Sequence, residues 1–129
     1  IRAAKRDVAI TFLFSREANI GNDLNYRTIH EIYTKAPVAV HLTDTMIHSK
    51  LMLVDDDTAL LGSCNLSIFS LQKAGELDLI IRHPSPALTT LREVIPHRIA
   101  SATPVRSPDQ LRSYKPLLAS LQQLHQKRE

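Results

Sequence analysis

From Asp7 to Phe14 the chain reads Asp-Val-Ala-Ile-Thr-Phe-Leu-Phe, a nearly unbroken apolar run of strand length, which is the pattern of a strand buried on both faces. A polar stretch with Gly21 and Asn22 ends it. Apolar positions then recur at loose helical spacing (Leu24, Ile29, Ile32 and Tyr33), predicting a helix from Asp23 to Lys35, after which Pro37 opens a second strand, Val38 to Leu42. Strand, helix, strand in that order is the pattern of a right-handed parallel crossover.

The next apolar run, Ile47 to Val54, lacks Gly and Pro and ends in the acids Asp55, Asp56 and Asp57, so it reads as a strand closed by a tight turn, with Thr58 to Leu61 as its hairpin partner. Gly62 permits backbone that other residues resist, a helix is expected from Asn65 to Gln72, and Glu76 to Ile81 is a fifth strand. Ser85 as N-cap and Pro86 at the first helical position start a helix that should run to about Val94 and stop before Pro96. Two prolines, two serines and a threonine between Ser101 and Pro108 read as a linker. From Asp109, Leu111, Tyr114, Leu117, Leu118, Leu121 and Leu124 recur at helical spacing, with a kink expected at Pro116; this stripe reads as core packing in preference to membrane contact.

The chain's 129 residues suit about one domain. Ile1 stands where a methionine would begin a complete protein, so a fragment is expected. The formal charge of +3 suits an anionic substrate or membrane surface and also many ordinary domains, so it decides little. A single cysteine, Cys64, leaves no intrachain disulfide and no cysteine cluster for zinc, and no apolar run approaches the roughly 20 residues of a membrane span.

One stretch breaks the apolar pattern in a way that core packing does not explain. Side chains alternate along a strand, so His48 and Lys50 share one face of the run from Ile47 to Val54, roughly 7 Å apart. An imidazole beside an ammonium is a poor core and a good phosphate holder. Asp55, Gly62, Ser63, Asn65 and Glu76 follow at short intervals. A neutral imidazole can attack phosphorus or, protonated, supply a proton to the leaving oxygen. Lys50 would bring positive charge to non-bridging oxygens, Asn65 an amide donor, and Ser63 a hydroxyl. Read singly, these residues are a strand histidine, a solvated lysine, a helix N-cap, a turn serine and a strand-end glutamate. Asp55 has the opposite parity to His48 and Lys50 and reads as a turn residue that bonds backbone or a neighbouring side chain. His30, His41, His83, His97 and His125 lack metal-ligand spacing and read as surface or core histidines.

Taken together, His48-x-Lys50-x4-Asp55-x6-Gly62-Ser63-x-Asn65, with Glu76 eleven residues on, resembles the signature of the phospholipase D superfamily. The single residue between Ser63 and Asn65 is similar to the form found in bacterial cardiolipin synthases and related members. The resemblance covers roughly residues 1–83. It implies an α/β fold, a mixed β-sheet flanked by helices, and one half of an active site that two such motifs share, in tandem on one chain or through a homodimer. It also implies a phosphohistidine intermediate and a glutamate, matched by Glu76, that bonds the far ring nitrogen of the motif histidine. The expected organisation is a catalytic half-domain over 1–100, the linker over 101–108 and a C-terminal helical segment over 109–129.

The expected function is therefore that of a phosphodiesterase or phosphatidyltransferase with no cofactor and no metal, acting on a phospholipid or other phosphodiester. The expected site is His48, Lys50, Asn65 and Glu76, with Lys50, Ser63 and Asn65 on the phosphate and Asp55 and Gly62 structural. The alternatives are a nuclease of the same superfamily, for which a conspicuous basic groove would speak, and a non-catalytic binding or dimerisation module. Peripheral membrane contact is compatible with either enzyme, and a cytoplasmic or membrane-associated location is favoured.

Overall fold

A computed structural model describes residues 1–17, 22–65, 68–111 and 114–128. In chain order the elements are β1 (Thr11–Ser15), α1 (Asn22–Lys35), β2 (Ala39–Thr43), β3 (Lys50–Val54), β4 (Thr58–Gly62), α2 (Ile68–Gln72), β5 (Asp78–Arg82), α3 (Pro86–Ala100), β6 (Thr103–Pro104) and α4 (Pro116–Arg128), with 3-10 turns at Ala4–Arg6 and Pro108–Leu111. The α/β architecture with helices against a mixed sheet is present. The strands divide between two three-stranded sheets, β1-β2-β6 and β3-β4-β5. They belong to two compact units, residues 1–47 with 101–125 and residues 48–100 with 126–129.

In the first unit β1 and β2 are parallel neighbours joined through α1, as the strand-helix-strand order predicts. Val40 and Leu42 of β2 point into a core with Tyr26 and Ile29 of α1, Val105 and Leu111, and Phe12, Phe14, Tyr33 and Tyr114 pack around it. β1 is shorter than its apolar run. It begins at Thr11, leaves Val8 exposed, and is half-buried because it lies at the sheet's edge. The stretch read as a linker contains β6, antiparallel to β2. Pro104 can sit there because an edge strand need not donate on its outer side, and the segment is held because Val105, buried, donates its N–H to the Val40 carbonyl at 2.9 Å.

Pro116 begins α4 instead of kinking it. Its missing N–H costs nothing in a first turn, and the Asp23 carboxylate accepts the Lys115 N–H just ahead at 2.6 Å. The leucine stripe is not core, contrary to the sequence expectation. Ala119 is fully buried, and Gln122 accepts the Leu24 N–H at 2.9 Å, so a small and polar face of α4 meets α1. Leu117 (80% exposed) and Leu121 (61%) lie outside. Leu111 and Tyr114, earlier in the stripe, do join the core.

The second unit is an antiparallel meander. The pairings Lys50↔Gly62↔Asp78 and Met52↔Leu60↔Ile80 place those residues on one face, and Leu51, Leu53, Ala59, Leu61 and Ile81 on the other. Ala59 and Leu88 of α3 are its most buried residues. Leu91 and Val94 of α3 face Leu51 and Leu61 across a cleft of about 240 Å³, with Ser49, Lys50 and Arg98 also in its lining. α3 continues through Pro96 to Ala100. The proline is exposed while Val94 and Ile95 before it and Ile99 after it are partly buried, so apolar anchors on both sides hold a helix that has lost one internal hydrogen bond.

Candidate functional site

β3 begins at Lys50, three residues later than its apolar pattern allows, so His48 and Ser49 form the approach to the strand. The His48 ring is exposed. Lys50 folds back on it. Its Nζ donates to the His48 carbonyl at 2.7 Å and lies 3.2 Å from the ring's Nδ1. An ammonium has donors and no lone pair, so Nδ1 is the acceptor in this contact, and the neutral ring carries its proton on Nε2. From the other side, the Arg98 guanidinium donates to the Ser49 hydroxyl at 3.4 Å.

The hairpin turn after β3 has positive φ at Asp55 (49°) and Asp56 (55°), the left-handed pair that matches strand twist and that aspartate tolerates. The hydrogen bonds there fall to Asp57, whose N–H reaches the Val54 carbonyl at 3.2 Å and whose carboxylate accepts from Thr58 Oγ1 at 2.8 Å. Asp55 thus sits in the turn, as its parity indicates, remote in role from the His48–Lys50 pair.

Gly62 ends β4 directly beside Asp78 of β5. A Cβ at residue 62 would overlap the Asp78 Oδ1 and the Leu77 carbonyl and lie 2.7 Å from the Asp78 Cα, so the two backbones meet at a distance only glycine allows. Past it the chain is tied at each step. Ser63 N–H donates to the Leu77 carbonyl (3.1 Å), Ser63 Oγ donates to Glu76 Oε2 (2.6 Å) and accepts the Leu77 N–H (3.1 Å), and the Cys64 N–H reaches Asp78 Oδ1 (3.2 Å).

Glu76 therefore lies on the Ser63 turn, and its hydrogen-bond partners among the described residues are the hydroxyls of Ser63 and the buried Ser70, not the His48 ring. Those two hydrogen bonds, Ser63 first, and then the Lys50 ammonium hold its carboxyl below the ordinary value against partial burial. Asn65 is exposed on this turn, and the helix expected over 65–72 is described from Ile68, residues 66 and 67 of that expectation lying outside the described residues. Partial burial, then the charges of Asp78 and Glu76, push the Cys64 thiol above its ordinary value. The meander so brings His48 and Lys50 together, and separately Ser63 and Glu76. Asp78 and Ser70 join the second group. Asp78 is signalled in the sequence only by sharing strand parity with Glu76, whereas Ser70 has no sequence signal.

An exposed imidazole with a lysine ammonium at hand, and the exposed Asn65 on the turn that follows Gly62, supply donors that can hold a tetrahedral anion and a group that can exchange a proton with it. Comparison with curated proteins finds no match. Residues 1–98 match the family described as cardiolipin synthase, PLD-like domain, and this span contains every residue of the His48 to Asp78 meander. The chain accordingly belongs to the phospholipase D superfamily, through the family of that PLD-like domain.

Proposed function

We propose that the chain is one half of a phosphodiesterase or phosphatidyltransferase that works through a phosphohistidine, with His48 as one of two histidines that share the reaction. The observation that carries this reading is the contact of Lys50 Nζ with the exposed His48 ring, in a chain matched over 1–98 to a PLD-like domain. A substrate phosphoryl oxygen is a better partner for the ammonium than an uncharged ring nitrogen, so a diester entering here would draw Lys50 from Nδ1 onto itself. One imidazole nitrogen, through its lone pair, forms the N–P bond as the P–O bond to the leaving alcohol breaks. The second histidine gives that oxygen its proton. Water or an alcohol then attacks phosphorus, passes its proton back to the second histidine, and the N–P bond breaks.

On this reading Lys50 and Asn65 would meet the phosphoryl oxygens, and Ser63 would join them by turning its hydroxyl from Glu76 to the substrate. The apolar cleft lined by Leu51, Leu61, Leu91 and Val94 supports an amphiphilic diester such as a phospholipid. The second histidine comes from another motif-bearing half, since domains of this family commonly pair or dimerise.

The test is His48→Ala in the assembled enzyme, assayed on a phospholipid and on bis(p-nitrophenyl) phosphate. Turnover of both should fall by about a thousandfold or more with the melting temperature unchanged. A variant that keeps most of its activity on either substrate would end the proposal.

A further inference from the structure

Three strands come level at one point of the second sheet, Lys50 on β3, Gly62 on β4 and Asp78 on β5. The middle residue has no side chain, and the Asp78 carboxylate leans into the space a Cβ would fill. From there its Oδ1 accepts the Cys64 N–H at 3.2 Å. Neighbouring ties hold the same turn at residues 63 and 77, but residue 64 is fastened through Asp78. Asn65 is the next residue along, so that bond fixes the backbone immediately before it.

We propose that Asp78 is a positioning residue for the phosphate-holding turn: its carboxylate occupies the gap over Gly62, fixes the Cys64 amide, and so presents Ser63 and Asn65 in a single conformation. The requirement for glycine at 62 and the role of Asp78 are then one feature. The side chain missing from one strand is replaced by a carboxylate from the next. Asp78 does not touch substrate on this account. The effect expected on turnover rests on the diesterase reading above, whereas the effect expected on the turn does not.

Asp78→Asn keeps an oxygen acceptor at the same reach and loses the charge, whereas Asp78→Ala loses both. In the full chain, Asp78→Ala should speed hydrogen exchange of the Cys64 amide by tenfold or more, and Asp78→Asn should leave it within about threefold of wild type. In the assembled enzyme, Asp78→Ala should lower kcat for bis(p-nitrophenyl) phosphate by about tenfold with KM little changed, because a misplaced donor weakens the transition state more than the encounter. Asp78→Asn should restore most of kcat. Cys64 is the chain's one cysteine, and its alkylation by iodoacetamide adds a third readout: losing the Asp78 charge should move the pH midpoint down in both variants.

Equal protection of the Cys64 amide in wild type and Asp78→Ala would overturn the inference, as would an Asp78→Asn variant as impaired as Asp78→Ala. If the amide responds as expected while the wild-type assembly cleaves no diester, the diesterase reading fails and the positioning of the turn stands.

Discussion

At the scale of single residues, the chemistry is concentrated where packing leaves no slack. Gly62→Ala adds one methyl group, yet that group would meet the Asp78 carboxylate and the Leu77 carbonyl, one of them backbone. Overpacking of this kind costs about 1–3 kcal/mol, so urea unfolding should show a loss in that range. A neutral Gly62→Ala would mean that β4 and β5 separate there at no cost. Glu76 makes a pH-dependent contribution whose sign follows from its hydroxyl partners. Its folded carboxyl lies below the ordinary 4.5, so the tie to Ser63 is fully present above that pH and is lost as pH falls through the lower folded value. The Glu76 carboxyl carbon, followed by NMR, should titrate at higher pH in Ser63→Ala than in wild type, and coincident curves would remove the role given to the Ser63 hydroxyl. Sequence spacing was enough to single out His48, Lys50, Gly62, Ser63, Asn65 and Glu76. It could not assign partners, because a carboxylate eleven residues past Asn65 can reach either the ring or the turn, and only the path of residues 63–77 settles which.

At the scale of elements, β2, β3, β4 and α1 follow their apolar patterns to within a few residues, since each has one face against a neighbour that rewards the pattern, and β5 does so through its pairing with β4 although only Ile81 is partly buried. The elements that depart do so through tertiary contacts the pattern does not carry. Pro96 stays within α3 because apolar residues flank it, β6 forms on a single buried valine, and α4 turns alanine and glutamine inward so that its leucines lie outside. The β3–β4 hairpin was legible from its three acids, though not the left-handed backbone they adopt. That backbone gives a prediction. Asp56 holds φ at 55°, where a side chain is disfavoured and glycine is not. Asp56→Gly should therefore stabilise the hairpin by up to about 1 kcal/mol, seen as a higher melting temperature, and a lower one would show that the aspartate side chain supports the turn.

At the scale of the whole molecule, the sequence suggested one sheet, and the strands divide into two, each with its own core. Apolar periodicity marks which residues are inside, not which strands share a ladder, so the division lay beyond it. Of the chain's two His-x-Lys triplets, at residues 48–50 and 125–127, only the first lies within the full pattern that runs on through Asp55, Gly62 and Asn65, while the proposed reaction needs a nucleophile and a separate acid. The isolated 129-residue chain should accordingly be inactive as a monomer, with diesterase activity rising as it associates through exposed apolar surface such as that of Met52 and Ile80. Analytical ultracentrifugation run beside the assay checks this, and a clean monomer with full turnover would contradict it. The hydrogen bonds that hold the Ser63 turn join residues thirteen or fourteen apart, and only the Arg98 to Ser49 contact reaches further along the chain. Contacts this local close small loops and form early in folding. On the two-half reading proposed above, each half-site would therefore form before it meets its counterpart, on the same chain or another, and assembly would be the docking of two finished pieces, with a rate set by encounter instead of by folding.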